Sequence, residues 1–201
     1  MLESRTIKVL VALLLSMSAG TVLLVLLETD ATPLATPTAA IGEQPTSSFA
    51  HLDALIHETR SAVQPLQWDS VVVHACPPGD PLARQCHFVV HPADGAGRPA
   101  RAVATDLWQD QAPGQHVATR GNWNAYRNSI GVCLIGDFSR RPPAPGQFTE
   151  LVELVRRLQA ACGDRPLPAS TVYLHRQIDP RTDSPGPAFP AQAFESYLIG
   201  S

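Results

Sequence analysis

Two histidines stand where they can act together. His74 closes the β-branched run WDSVVVH (Trp68 to His74), and His175 follows the short apolar run TVYL (Thr171 to Leu174). Strand ends are where α/β sheets place their ligand sites. If the two strands are neighbours, the imidazoles converge on one point, and a catalytic zinc ion needs three protein ligands plus one position left for water. Asp183 lies in the Pro/Gly-rich loop of RQIDPRTDSPGPAF, which can fold back toward His175. Zinc-bound water with a pKa near 7 would be a nucleophile for an amide bond. Spacing alone leaves the plainer reading open, in which each histidine is a satisfied structural or surface residue.

The elements that position these residues follow from periodicity. His51 to Val63 carries Leu52, Leu55, Ile56 and Val63, which suits a short amphipathic helix. Trp68 to His74 reads as a buried strand, and His87 to His91 as a second strand closed by Pro92 and the turn Ala93-Asp94-Gly95. A third strand is expected around Val103, a strong central strand over Ser129 to Ile135, and another over Thr171 to Leu174. Gln147 to Ala161 has helical period, with Phe148, Leu151, Val152, Leu154, Val155 and Leu158 on its apolar face. Ala191 to Leu198 reads as a final short helix. Strands and helices alternate, which predicts an α/β fold with a mixed central sheet flanked by helices on both faces.

The first fifty residues have a different character. Arg5 and Lys8 precede an uncharged apolar run, residues 9–27, long enough for a helix to cross a hydrocarbon core of about 30 Å. Positive charge before the run places residues 1–8 in the cytoplasm and the rest of the chain outside it. The run is expected to be an N-terminal membrane helix, with a cleaved signal segment as the alternative, which would leave the protein secreted. Residues 28–48 are rich in Pro, Thr and Ala and read as an extended linker, so the folded domain spans 49–201. The net charge of −3 supplies no basic stripe and excludes a nucleic-acid partner of the ordinary kind.

Outside the cytoplasm the four cysteines, Cys76, Cys86, Cys133 and Cys162, can form disulfides. Three pairings are possible. Cys76 with Cys86 is the most local, and Cys133, inside an apolar run, reads as a plain core residue.

The string NSIGVCLIGDF (Asn128 to Phe138) resembles the signature of zinc-dependent N-acetylmuramoyl-L-alanine amidases and the related peptidoglycan recognition proteins. The VVVH strand, the HFVVHPADG hairpin, the WQDQAPGQH stretch, the Gln147 helix and LHRQIDPRTDSPGPAF follow in the family's order over roughly residues 66–190. The resemblance implies a groove holding zinc, with peptidoglycan or muropeptides as partners and the amide between N-acetylmuramic acid and L-alanine as the scissile bond. It implies His74 and His175 as two zinc ligands, His116 in the substrate groove, and Asn128 near the groove wall, where a turn residue capping a strand is the equal alternative.

Three positions depart from the family's pattern. The third ligand is a Cys or Asp directly before Pro-Gly, and that position here is Ser184, with Asp183 one residue earlier. A neutral hydroxyl is a poor zinc ligand, and Ser at this place resembles the recognition proteins that bind without cutting. Read with Ser184 as an insertion, the stretch instead gives Asp183 as the ligand. The tyrosine that assists at the amide is replaced by Cys86, which lacks a phenol's geometry and its pKa near 10. Glu150 and Glu153 lie on the helix and read as solvated, so no catalytic residue replaces the tyrosine. The segment between His74 and Cys86 is short for the family, which implies a shallower groove. The expected function is therefore a peptidoglycan-binding, amidase-like zinc hydrolase, with a non-catalytic recognition module as the alternative.

Overall fold

The computed structural model describes residues 49–64, 67–117, 126–162 and 166–199, which belong to one compact unit. The expected cytoplasmic end, membrane segment and linker, 1–8, 9–27 and 28–48, lie outside the described residues. Among those described, no helix is long and apolar enough to cross a membrane.

The chain forms helix α1 (Ala50–His57), strand β1 (Ser70–Cys76), a 3-10 turn (Pro81–Gln85), β2 (Phe88–His91), β3 (Arg101–Ala104), α2 (Asp106–Gln109), β4 (Ser129–Ile135), α3 (Pro145–Ala161), β5 (Val172–Leu174), α4 (His175–Ile178) and α5 (Ala191–Ile199). The five strands make one mixed sheet in the order β3-β2-β4-β1-β5. β2, β4, β1 and β5 are mutually parallel, and β3 closes one edge as the antiparallel arm of a hairpin with β2.

The two faces of the sheet differ because strand residues alternate. Val71 and Val73, Ile130, Val132 and Leu134, and Phe88 and Val90 point into the main core. Helix α3 lays Leu151, Val152, Leu154, Val155 and Leu158 against them, joined by Leu52 and Ile56 of α1 and Phe194 and Leu198 of α5. Among the described residues, the three helices of eight or more residues therefore bury their apolar sides in one core. The other positions of β1 and β4 include His74, Cys76, Gly131 and Cys133, which offer no broad apolar surface for a long helix. Cys76, Cys86, Val89 and Cys133 form a separate small cluster there, against which Leu82 and Ala83 of the 3-10 turn pack. Among the described residues, the expected helical layer on both faces is thus uneven, with the short 3-10 turn packed on this side.

Two local expectations change. Helix α1 stops at His57 rather than continuing to Val63. The amides that would extend it are taken elsewhere: Ser61 N–H donates to Gln109 O (3.0 Å) and Gln64 N–H to Gln111 Oε1 (3.2 Å). Glu150, expected in solvent, is buried. Its Oε1 accepts the Ala102 N–H of β3 at 2.8 Å and meets His51 Nε2 at 2.7 Å, so one carboxylate joins three elements.

Candidate active site

Register brings the two histidines together. Val73 of β1 pairs with Leu174 of β5, so the next residues, His74 and His175, lie side by side; His175 directly follows β5, while β1 runs two residues past His74 to Cys76 rather than closing on it. Their ring centroids are 4.4 Å apart. His175 is the first residue of α4, and the strand-to-helix switch is fixed by Gln177, whose Oε1 accepts the Leu174 N–H at 2.7 Å.

His74 is fully buried. Its Nε2 meets Nδ1 of His116 at 2.9 Å, and its Nδ1 is buried with no hydrogen-bond partner among the described residues. Burial, then the neighbouring His116 and His175, hold its pKa well below the usual imidazole value. The ring is therefore neutral at pH 7 and has a nitrogen available as a donor atom. His175 is half-buried, and burial lowers its pKa against the opposing field of Asp179. Asp179 is itself held down to about 2 by hydrogen bonds from Arg181.

His116 does not line an open surface. It is 2 % exposed, with Nε2 at 3.2 Å from the Ser129 carbonyl oxygen and Nδ1 on His74. Burial lowers its pKa to about 4. Asn128 is an exposed turn residue just before β4, and its carbonyl accepts the Asp69 N–H (3.1 Å).

The loop after α4 is tied to the end of β1. Ser184 Oγ accepts the Ala75 N–H at 2.9 Å, its carbonyl accepts the Arg176 N–H (2.8 Å), and Arg176 Nη1 donates to Gly186 O (2.7 Å). Asp183 is exposed, and among the described residues its carboxylate makes no hydrogen bond. Ser184 is thus brought beside the residue after His74, while Asp183 faces outward.

The cysteines differ from expectation. Cys76 pairs with Cys133 across β1 and β4, Cα atoms 5.9 Å apart, so Cys133 is not a plain core residue and the local Cys76–Cys86 pairing does not form. Register explains it: Cys133 lies opposite His74, and Cys76 is two residues on, so both thiols point to the same face from adjacent strands. Cys86 is a free, fully buried thiol beside that disulfide. Burial and the charge of Asp80 push its pKa far above the ordinary thiol value. Cys162 is the second free thiol, buried in the main core and pushed up to about 12.

The suitability of this donor set for zinc is mixed. Its histidine half fits: two adjacent neutral-leaning imidazoles, one with a bare buried nitrogen. The third ligand is not gathered in. Among the described residues, the group of three His, Cys, Asp or Glu side chains with donor atoms all within 4.8 Å of one another is Cys76, Cys86 and Cys133, and two of these are bonded to each other.

Sequence reasoning passed over two residues of this face. Gly131 lies under His116, where a Cβ would come within 2.5 Å of the imidazole. His87 is buried with both nitrogens bonded, Nε2 donating to Ala112 O (3.0 Å) and Nδ1 accepting the Gly131 N–H (2.9 Å). A glycine inside an otherwise apolar strand was the available signal, since it marks a close approach.

No curated protein matches the sequence. Among solved structures, AmpDH3 from Pseudomonas aeruginosa superposes with a TM-score of 0.53 at 18% identity, covering 70% of this chain and 63% of that one. The N-acetylmuramoyl-L-alanine amidase LysC from Clostridium intestinale URNW superposes with a TM-score of 0.50 at 19% identity, covering 70% of this chain and 91% of that one. These show a shared fold. The profile of the N-acetylmuramoyl-L-alanine amidase family matches residues 24–187, most of the sequence, and the chain belongs to that family.

Proposed function

We propose that this chain binds peptidoglycan on the sheet face that carries His74 and His175, holds a zinc ion there, and hydrolyses the amide between N-acetylmuramic acid and L-alanine. Family membership supports the substrate class. The observation that carries the metal reading is the bare Nδ1 of buried His74 beside the ring of His175. An unpartnered buried nitrogen costs about 1–3 kcal/mol, and a metal ion relieves it. His74 and His175 would be two ligands. Asp183, an unengaged carboxylate next to Ser184, is the third in this reading.

A zinc ion at such a site supplies Lewis acidity and a water acidic enough to react at neutral pH. The chain's own residues do the rest. Burial keeps His74 neutral and able to donate a lone pair. The Arg176 contacts hold the loop of Asp183 and Ser184 against α4, and the Ser184 hydroxyl ties it to the end of β1. Asn128, exposed at the start of β4, is placed for a polar contact with glycan or peptide. An N-terminal membrane anchor over residues 9–27 would keep the domain outside the cytoplasm and within reach of the wall.

A second reading, binding without cleavage, is favoured by two specific observations. Ser184 already spends its hydroxyl on Ala75 N–H, and Cys86 is buried beside a disulfide, so it places no acid or base in the groove. Loss of a general acid or base alone typically removes 10²–10⁴-fold in rate. Incubating the full chain with purified sacculi separates the readings. Release of free stem peptide that stops on chelation supports the amidase; sedimentation with the wall and no release supports recognition alone; failure to sediment or cleave contradicts both.

A further inference from the structure

The hydrogen bonds around His116 determine which nitrogen of each ring carries its proton. The Ser129 carbonyl oxygen, 3.2 Å from His116 Nε2, can only accept. The Ser129 hydroxyl, 3.4 Å from the same nitrogen, gives its own proton to the Tyr126 carbonyl (2.5 Å) and so also faces the ring as an acceptor. Nε2 of His116 must therefore carry hydrogen. The ring is buried and the partners of its Nε2 are uncharged, so nothing there offsets the cost of a buried imidazolium and the ring is neutral; its Nδ1 then holds a lone pair, which faces His74 Nε2 at 2.9 Å. A lone pair needs a donor opposite it, which makes His74 Nε2 the protonated nitrogen. The remaining nitrogen of His74, Nδ1, then carries a lone pair and has no partner among the described residues.

The strand beneath is shaped for this arrangement. A Cβ on Gly131 would lie 2.5 Å from His116 Cδ2 and 2.6 Å from its Cγ, so the imidazole can occupy its place only over a glycine. Gly131 is pinned in turn by His87, through Gly131 N–H to His87 Nδ1 (2.9 Å) and His87 N–H to Gly131 O (2.8 Å).

We infer that His116 is a positioning residue, which fixes His74 as the Nε2–H tautomer in one orientation and so makes Nδ1 the nitrogen His74 offers to a ligand. The tautomer belongs to the protein alone; its use by zinc rests on the function proposed above. Groups that orient metal-binding histidines in this way typically govern affinity by 10–100-fold. His116 thus acts through His74 and needs no contact with substrate.

The test is carried out on the full chain, on wild type beside His116→Ala and His116→Gln. Long-range ¹H–¹⁵N correlations on the metal-free proteins read the tautomer of His74, and titration with Zn²⁺ alone reads affinity. Wild type should show a single Nε2–H tautomer with a slowly exchanging ring proton. His116→Ala should lose that protected proton and bind Zn²⁺ 10–100-fold more weakly. His116→Gln, whose side-chain carbonyl can accept from Nε2–H, should recover much of both. An Nδ1–H tautomer or a cation at His74 in wild type overturns the inference, and so does unchanged affinity in a folded His116→Ala. If His116→Ala fails to fold, the wild-type tautomer and the Gln variant still decide. A wild type with the expected tautomer that ignores Zn²⁺ supports the positioning role and overturns the metal reading, so the two claims fail separately.

Discussion

The hydroxyl of Ser184 accepts the N–H of Ala75 at 2.9 Å, across 109 residues of sequence, and ties the loop after α4 to the strand end that bears His74. Ser184 is a fastener in this account, and Asp183 is the proposed ligand. Ser184→Ala should lower stability by about 0.5–1.5 kcal/mol in urea unfolding and leave zinc affinity within a few-fold. Asp183→Ala should do the reverse, with little change in stability and a loss of zinc affinity of tenfold or more. The opposite pattern would make Ser184 the metal-facing residue.

Glu150 is the buried acid that helical periodicity alone sends to solvent. Its Oε1 serves both Ala102 N–H and His51. Glu150→Ala leaves a buried backbone amide without a partner and should destabilise the protein by about 1–3 kcal/mol. Glu150→Gln keeps an acceptor and should lose distinctly less. Equal losses in chemical denaturation would mean that the charge, rather than the acceptor, matters.

His87 makes stability depend on acid. Burial, and to a lesser degree His116, lower its pKa to about 3 in the folded chain, against 6.5 for a free imidazole. Below pH 6.5 the unfolded chain binds a proton that the folded chain does not. The contribution is therefore complete above pH 6.5 and is lost as pH falls from 6.5 toward about 3, at about 1.4 kcal/mol per pH unit. His87→Asn keeps a donor for Ala112 and an acceptor for Gly131 without titrating. Unfolding free energies at pH 7, 6 and 5 should show its acid slope reduced by about one proton. An unchanged slope would assign the acid sensitivity to other groups.

The cysteine arrangement predicts a simple count. With Cys76 and Cys133 bonded, thiol titration of the unreduced, unfolded chain should find two thiols, Cys86 and Cys162, and none should react at a measurable rate in the native state, where both are buried. Peptide mapping should recover a Cys76–Cys133 cross-link. A Cys76–Cys86 cross-link would contradict the strand geometry.

Gly186 has φ +120°, and a Cβ there would meet the Phe138 carbonyl oxygen at 2.5 Å. Gly186→Ala should cost about 1–3 kcal/mol and weaken zinc binding too, because the Asp183–Gly186 turn it belongs to carries the proposed ligand. Loss of stability with unchanged zinc affinity would separate that turn from the metal.

Much of the sheet was legible because its signals are local. Ser129 to Ile135 is a largely apolar run and forms a strand with those bounds, and the period of Gln147 to Ala161 yields α3 with two residues added at its start. His74 and His175 were legible as a pair for the same reason, since each directly follows a short apolar run, although β1 continues past His74 to Cys76. What sequence did not convey depends on which strands become neighbours. The Cys76–Cys133 bridge needs β1 beside β4, where the nearest cysteine in sequence is not the nearest in space. The burial of Glu150 needs the edge strand β3 to end under α3 with an amide to satisfy. The place of His116 beneath His74, rather than along an open groove, needs the gap over Gly131, which periodicity registers only as a small residue in a strand.

The most direct test of the central claim is the zinc content of the full chain purified without chelator, read beside His175→Ala. A zinc site built on His74 and His175 predicts about one zinc per wild-type chain and almost none in the variant, with both proteins folded. A wild-type chain free of zinc that also fails to take up added Zn²⁺, or a variant that retains it in full, would contradict the account.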